Sequence, residues 1–472
     1  MKKLQNNNYL LMITLVATLG GLLFGYDTAV ISGTVGSLKK FFIDPRGLDE
    51  LAANSMLGFA VSSALIGCIL GGMIGGIMAL TFGRRKSLMI AAILFTISAI
   101  GSGFPELGFL PAGMGDHTYL VHFVIYRIIG GVGVGLASML SPMYISEIAP
   151  AERRGSLVSL NQFAIIFGML VVYFVNYYIS RQGDDQWLNQ IGWRWMFVSE
   201  TIPAVLLFGL LFIVPESPRW LVIKQQEDKA LKILEKINGQ SKADNILIEI
   251  KNSLNHHVSG SMLSYGIAVV VIGLFLSMFQ QFVGINVVLY YAPDIFASMG
   301  SSTDASLLNT IIVGSINLIF TVVAILTVDR FGRKPLQIIG ALGMAIAMFG
   351  LGFTFYFQSI GMGALLFMLM FVAFFALSWG PVVWVLLSEI FPNRIRGRAM
   401  ALAVAAQWIS NYIVSWTFPM MDKSSFLQAL FHGGFSYWIY GVMGLLAAWF
   451  MYKYVPETKG KTLEEMESLW KK

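Results

Sequence analysis

Long apolar runs recur from one end of this chain to the other, and they leave few folds open to it. Each is long enough to cross roughly 30 Å of hydrocarbon as a helix. About twelve such spans can be marked by length and apolarity. They lie near 9–33, 55–80, 87–104, 120–143, 156–179, 193–214, 264–292, 305–328, 336–357, 363–387, 398–420 and 433–454. Only 12% of the 472 residues are charged and 56% are hydrophobic, which is too little charge to cover a soluble protein of this length. Barrel strands would alternate polar and apolar residues, and these runs do not. The chain therefore reads as an all-α membrane protein of twelve transmembrane helices.

Lysine and arginine orient the spans. Arg84, Arg85 and Lys86 follow span two, and Arg153 and Arg154 follow span four. Arg330, Arg333 and Lys334 follow span eight; Arg394, Arg396 and Arg398 follow span ten. The 105–119 loop has neither residue type. The positive-inside rule then makes the even-numbered loops and both termini cytoplasmic, with Lys39, Lys40 and Arg46 as the exception. The net charge of +6 follows from these loops rather than from nucleic-acid binding. The first apolar segment is too long for a signal peptide and lacks a small-residue cleavage site, so it reads as span one. Cys68 is the single cysteine and sits in an apolar run, which excludes an intrachain disulfide and a thiolate cluster. The His residues, His256-His257 among them, show no metal-ligand spacing.

Residues 215–262 are not membrane-like. Lys229-Ala230-Leu231-Lys232-Ile233-Leu234-Glu235-Lys236-Ile237 has the pattern of an amphipathic surface helix ending at Asn238-Gly239. Around this segment the chain repeats. Phe82-Gly83-Arg84-Arg85-Lys86 matches Phe331-Gly332-Arg333-Lys334-Pro335. Ser146-Glu147-Ile148-Ala149-Pro150 matches Ser388-Glu389-Ile390-Phe391-Pro392, and Val214-Pro215-Glu216-Ser217 matches Val455-Pro456-Glu457-Thr458. Such ordered matches predict two pseudo-symmetric six-helix bundles, 1–214 and 263–455, joined by a helical linker over 215–262 and followed by a cytoplasmic tail over 456–472.

Three charges fall inside spans: Asp27, Arg127 and Glu200. Each lies about six or seven residues from the outer end of its span, so all three can share one depth. A carboxylate in hydrocarbon is costly unless it is paired, protonated or facing a wet cavity. An Asp beside an Arg is held ionised, and taking the Arg away favours protonation. The alternative is a static buried pair that only fixes helix packing.

Span seven carries Gln280, Gln281, Asn286 and Tyr290 in an otherwise apolar run. On a regular helix Gln281 and Asn286 would point about 140° apart. Both can face one ligand only if the helix breaks, which Gly284 permits, and Pro293 ends the regular ladder. Amides suit a polyol, which needs many neutral donors and acceptors. The alternative is that they tie spans together. Gln162, Asn317, Trp384, Gln407 and Trp408 are further polar or aromatic candidates within spans, and sugar rings stack on aromatic faces.

These motifs resemble the sugar porters of the major facilitator superfamily over essentially the whole chain. The carriers are the Gly-Arg-Arg/Lys loops, Pro215-Glu216-Ser217-Pro218-Arg219 and Pro456-Glu457-Thr458-Lys459-Gly460. Within that family the likeness runs to the bacterial D-xylose:proton symporters, through Thr18 to Asp27, Gln280 to Asn286 and Ser378-Trp379-Gly380-Pro381. The resemblance implies proton-coupled import of a neutral monosaccharide, with Asp27 as the protonation site and Arg127 as its partner. It implies that Gln162, Gln280, Gln281, Asn286, Trp384 and Gln407 contact sugar, and that Phe24, Tyr290, Gly380 and Trp408 line the site. It also implies a cytoplasmic gate of ion pairs among Arg84, Glu147, Arg154, Arg333, Glu389 and Arg396. Where the second half has Asp329-Arg330, the first has Leu80-Thr81, which weakens the first-half gate.

The expected setting is a bacterial inner membrane, with the chain working as a monomer and without a cofactor or nucleic acid. Gly130-Gly131-Val132-Gly133-Val134-Gly135 mimics a nucleotide loop but lies inside a span, with no strand before it. No phosphate loop or acyl-transfer triad is apparent, so an enzyme and an ATP-driven pump are both disfavoured. A facilitative uniporter and a non-transporting sugar sensor remain as alternatives.

Overall fold

The computed structural model describes residues 2–150, 153–255, 265–359, 361–392, 395–459, 466 and 470. His256, His257 and Arg394, read above as loop residues, lie outside them. Uninterrupted helices form span one (Lys2–Val30), span two (Glu50–Thr81), span three (Arg84–Gly103), span four (Leu120–Ile148) and span five (Arg154–Ser180). The same holds for span eight (Thr303–Phe331), span nine (Arg333–Tyr356), span eleven (Arg396–Asp422) and span twelve (Phe435–Tyr454).

The other three spans are broken. Span six splits into Trp193–Val198 and Thr201–Leu210, with Glu200 at the break. Span seven splits into Ile267–Phe282 and Ile285–Tyr290 at Gly284, whose φ of +92° only glycine adopts without strain. Span ten splits into Met362–Leu377 and Val382–Ile390. The span-seven break falls where Gly284 predicts it; those in spans six and ten were not expected. Pro293 does not end span seven but sits in the first turn of a further helix, Ala292–Ser298, where its missing N–H costs nothing.

Among the described residues, ten helical segments are long and apolar enough to cross a membrane by length and composition. Span six falls short because it is interrupted, and span eleven because Gln407, Ser410, Asn411 and Ser415 dilute its apolarity. The surface supports a lipid setting. Met73, Ile77, Ile202 and Leu326 on the spans are each at least two-thirds exposed, while many hydroxyls and amides are buried. Glycine sets the closest contacts. A Cβ on Gly131 of span four would lie 1.8 Å from the Ala64 carbonyl of span two, and one on Gly67 would lie 2.0 Å from the Ile128 carbonyl. The glycine run that mimics a nucleotide loop is thus a helix-packing surface.

Three short helices, Pro218–Ile223, Glu227–Asn238 and Gln240–Asn255, follow span six. The second ends at Gly239, as its pattern predicts, and buries Ala230, Leu234 and Ile237. The ends of the bundle differ. One carries both Gly-Arg loops and is called the basic end. Hydrogen bonds crossing between residues 1–214 and 263–455 lie toward the far end: Tyr173 Oη to Leu289 O (3.1 Å), Trp416 Nε1 to Ser55 O (3.1 Å), Thr303 Oγ1 to Asp185 Oδ1 (3.2 Å) and Ser425 N to Glu50 Oε1.

Candidate functional site

Spans one, four and six bring their charges together. Arg127 Nη1 donates to Asp27 Oδ1 at 2.7 Å, and its Nη2 donates to the Asp27 backbone carbonyl at 3.2 Å. The guanidinium also lies 5.3 Å from the Phe197 ring centroid. Glu200 faces the same pair. All three side chains are essentially fully buried. The Glu200 carboxyl lies within hydrogen-bonding reach of the Asp27 carboxyl, and neither Asp27 Oδ2 nor the Glu200 oxygens meet any other partner among the described residues. Close by, the Tyr26 and Ser199 hydroxyls are 2.8 Å apart. Sequence spacing alone did not single out these hydroxyls, because Ser and Tyr are common in spans.

Span seven contributes a chain of amides. Asn286 Nδ2 donates to Gln281 Oε1 across the Gly284 break, and Gln281 Nε2 donates to Gln280 Oε1 at 3.4 Å. Gln280 Nε2 then donates to the Trp379 and Gly380 carbonyls at 2.8 and 3.3 Å. Gln280 and Gln281 are buried and Asn286 is half-buried. Tyr290 Oη accepts from Asn411 Nδ2 at 3.4 Å, and Asn411 is a site neighbour that the sequence reading missed. Phe24 of span one meets Trp408 of span eleven with ring centroids 5.6 Å apart, an aromatic contact between the two repeats. Asn317 is buried, and Gln162 and Trp384 are half-buried. Gln407 Oε1 is buried without a partner. Among the described residues these four take no part in the amide chain.

The basic end shows the internal repeat in atomic terms. Arg84 Nη2 reaches Glu147 Oε1 at 2.7 Å, and Arg333 Nη2 reaches Glu389 Oε1 at 2.8 Å. Ser217 Oγ donates to Glu147 and Thr458 Oγ1 to Glu389. Glu216 accepts the backbone N–H groups of Arg84 and Arg85, as Glu457 accepts those of Arg333 and Lys334. These glutamates cap the starts of spans three and nine, where helical N–H groups lack partners. The two differ electrostatically. Burial pushes the Glu216 carboxyl up despite its backbone donors. Burial also acts on Glu457, but four backbone N–H groups outweigh it and hold its carboxyl below the usual range.

The six gate residues fall into two groups. Each ion pair lies within its own repeat, Arg84–Glu147 in the first and Arg333–Glu389 in the second, and neither Arg154 nor Arg396 pairs with Glu147 or Glu389 among the described residues. Arg154 is exposed, and Arg396 Nε donates to the Phe391 carbonyl at 3.3 Å. Each half also ties its loop through a backbone carbonyl: Trp220 Nε1 donates to the Leu80 carbonyl at 2.9 Å, and Lys459 Nζ to the Arg330 carbonyl at 2.7 Å. A second buried pair was missed outright. Arg194 Nη1 binds both oxygens of Glu106 at 3.0 Å. Glu106 lies in a loop chosen above for its lack of Lys and Arg, so nothing in the sequence pointed to a buried role.

The chain matches the family described as "Sugar (and other) transporter" over residues 13–470. It belongs to that family. This sugar transporter is 66% identical to the D-xylose-proton symporter of Escherichia coli K12, the match covering 98% of this chain and 96% of that one. It is 42% identical to the arabinose-proton symporter of Bacillus subtilis, covering 98% and 95%. It is 40% identical to the glucose facilitated diffusion protein of Zymomonas mobilis, covering 97% of each. The inward-open structure of the E. coli xylose transporter overlays with a TM-score of 0.89 at 64% identity, covering 98% and 100%. A proton:xylose symporter of the major facilitator superfamily bound to 6-bromo-6-deoxy-D-glucose overlays at 0.85 and 66% identity, covering 98% and 100%. The fold of this sugar transporter is thus the twelve-helix major facilitator fold, and the protein is a transporter rather than an enzyme.

Proposed function

We infer that the chain imports a neutral monosaccharide together with a proton, with D-xylose as its principal substrate. The observation that carries this is the buried Asp27–Arg127 pair with Glu200 beside it, in a chain 66% identical to a D-xylose-proton symporter. Asp27 holds Arg127 while ionised. A proton taken up by Asp27 removes the attraction at Oδ1 and leaves only the carbonyl bond, so spans one and four can shift against each other. Gln280, Gln281, Asn286 and Gln407 supply amides for sugar hydroxyls, with Gln162 and Asn317 as further polar contacts. Phe24, Tyr290, Trp384 and Trp408 supply aromatic faces, and Gly380 leaves room beside them.

The basic end is cytoplasmic, with both termini on that side, in a bacterial inner membrane. The crossing bonds at the far end then correspond to a state closed to the outside. Arg84–Glu147 and Arg333–Glu389 stiffen the inner ends of the two six-helix bundles, while Arg154 and Arg396 are free to pair when the inner ends approach. One chain carries the whole site, so a monomer suffices. The electrical part of the proton gradient contributes about 2.3 kcal/mol per charge per 100 mV. Uniport, as in the glucose facilitator, would need no titrating group at Asp27.

The deciding experiment is labelled D-xylose uptake into proteoliposomes with and without an inward proton gradient. Accumulation above the external concentration only with the gradient is expected. Uptake that equilibrates identically in both cases rejects coupling.

A further inference from the structure

Span ten leaves two backbone carbonyls unused where it breaks. Its ladder stops at Leu377 and resumes at Val382, and Ser378 takes φ −133°, ψ −82°. The Trp379 and Gly380 carbonyls in the gap both accept from the Gln280 amide of span seven. The break is held firmly on its other side. The Trp379 indole N–H donates to the Gln337 carbonyl of span nine at 2.9 Å, and the Trp379 side chain is fully buried. Gln280 is buried too, and its remaining oxygen is tied to Gln281 and through it to Asn286. One run of amides therefore joins the break in span seven to the break in span ten.

The proposed sugar contacts are the same amides. A primary amide has only two N–H donors, and Gln280 Nε2 already lies 2.8 and 3.3 Å from two span-ten carbonyls. A sugar hydroxyl that accepts from Gln280 must displace at least one of them. We propose that Gln280 is a sugar-displaced latch on span ten: without sugar its amide pins the Trp379–Gly380 break, and bound sugar takes the amide and frees the Val382–Ile390 segment. This deepens the function inferred above and rests on Gln280 being a sugar contact. The freed segment bears Trp384 and, in its last turn, Glu389, the partner of Arg333. Occupancy of the central site thereby reaches an ion pair at the basic end through one helix segment with two arrangements, as energetic coupling between sites requires.

Hydrogen exchange of the full chain in detergent or nanodiscs tests the latch, read over residues 379–390. Wild type without sugar exchanges slowly there. Saturating D-xylose speeds exchange by about three- to tenfold, the effect of losing one hydrogen bond. Gln280→Met keeps the side-chain volume, removes the donor and shows the fast rate without any sugar. Thr96→Val removes a hydrogen bond within span three, away from the site, and keeps the slow sugar-free rate. A slow sugar-free rate in Gln280→Met overturns the latch, as does equal loosening in Thr96→Val. So does D-xylose binding to wild type with no change over this segment. If D-xylose does not bind wild type at all, the substrate assignment fails, while the sugar-free comparison of the two variants still decides the latch.

Discussion

Arg127 grips Asp27 at two places of unequal kind, the carboxylate at 2.7 Å and the backbone carbonyl at 3.2 Å. Only the first depends on the charge of Asp27. The arrangement can therefore loosen on protonation without coming apart. Asp27→Asn should retain the carbonyl bond and the fold, keep D-xylose affinity within a few-fold of wild type, and abolish accumulation against a gradient. Proteoliposome uptake beside calorimetric binding checks both halves. Undiminished concentrative uptake in this variant removes Asp27 from the coupling role.

The amide chain gives a second expectation. A buried amide taken away leaves its partner unpaired, at a cost of about 1–3 kcal/mol. Gln280→Ala and Asn286→Ala should each weaken D-xylose binding by roughly ten- to a hundredfold. Titration calorimetry on the purified protein reads this directly. Native affinity in both variants would reassign these residues to tying spans seven and ten together.

Much of this arrangement is legible in the sequence, for identifiable reasons. An Asp in hydrocarbon demands a partner, and Arg127 at matching depth supplies one. Gly284 between polar residues that cannot share a helix face announces a break. Span ten gives a weaker signal: Ser378-Trp379-Gly380-Pro381 contains a helix-breaking Pro, but only the fold brings Gln280 to the exposed carbonyls. Glu106 and Arg194 are far apart in sequence, and neither sits in a recognisable motif. Arg154 and Arg396 belong to the expected gate, yet neither meets Glu147 or Glu389 among the described residues, and a contact across the inner loops depends on how the two bundles stand rather than on local sequence. One sequence describes every such state and cannot select among them.

Asp294 carries a pH-dependent expectation. It lies in the helix after span seven, and a Cβ on Gly36 of the other repeat would come within 3.7 Å of its Oδ1. Burial pushes its carboxyl up, Lys423 pulls it down, Asp422 pushes up and Lys39 pulls down, leaving it at about 6. A raised carboxyl means that the folded state prefers the protonated form. That contribution is complete below the ordinary value of 3.8 and is lost as pH rises through about 6. Asp294→Asn should therefore stabilise the protein at pH 7.5 by on the order of 1–2 kcal/mol, allowing for partial exposure, and far less at pH 4.5. Thermal unfolding at the two pH values shows this as a rise in Tm confined to the higher one. An equal shift at both, or a fall at pH 7.5, contradicts the burial of this carboxylate.

Substrate class follows from what the central site contains. Its candidates are amides, a tyrosine and tryptophans, and its one buried arginine is already committed to Asp27. A phosphate or carboxylate ligand needs a cationic fork free to receive it. Unlabelled D-xylose should therefore compete fully with labelled D-xylose, whereas D-glucose 6-phosphate and D-xylose 5-phosphate should not compete at a hundredfold excess. D-glucose is the informative middle case, because it presents the same ring hydroxyls and adds one hydroxymethyl arm. The same amides can hold its ring, so it should compete for binding. Transport of it requires the arm to fit as spans seven and ten rearrange, and a bound but slowly transported glucose would localise discrimination to that step. Binding and uptake measured on one preparation separate the two. If a sugar phosphate binds and D-xylose does not, the assignment of a neutral monosaccharide is wrong.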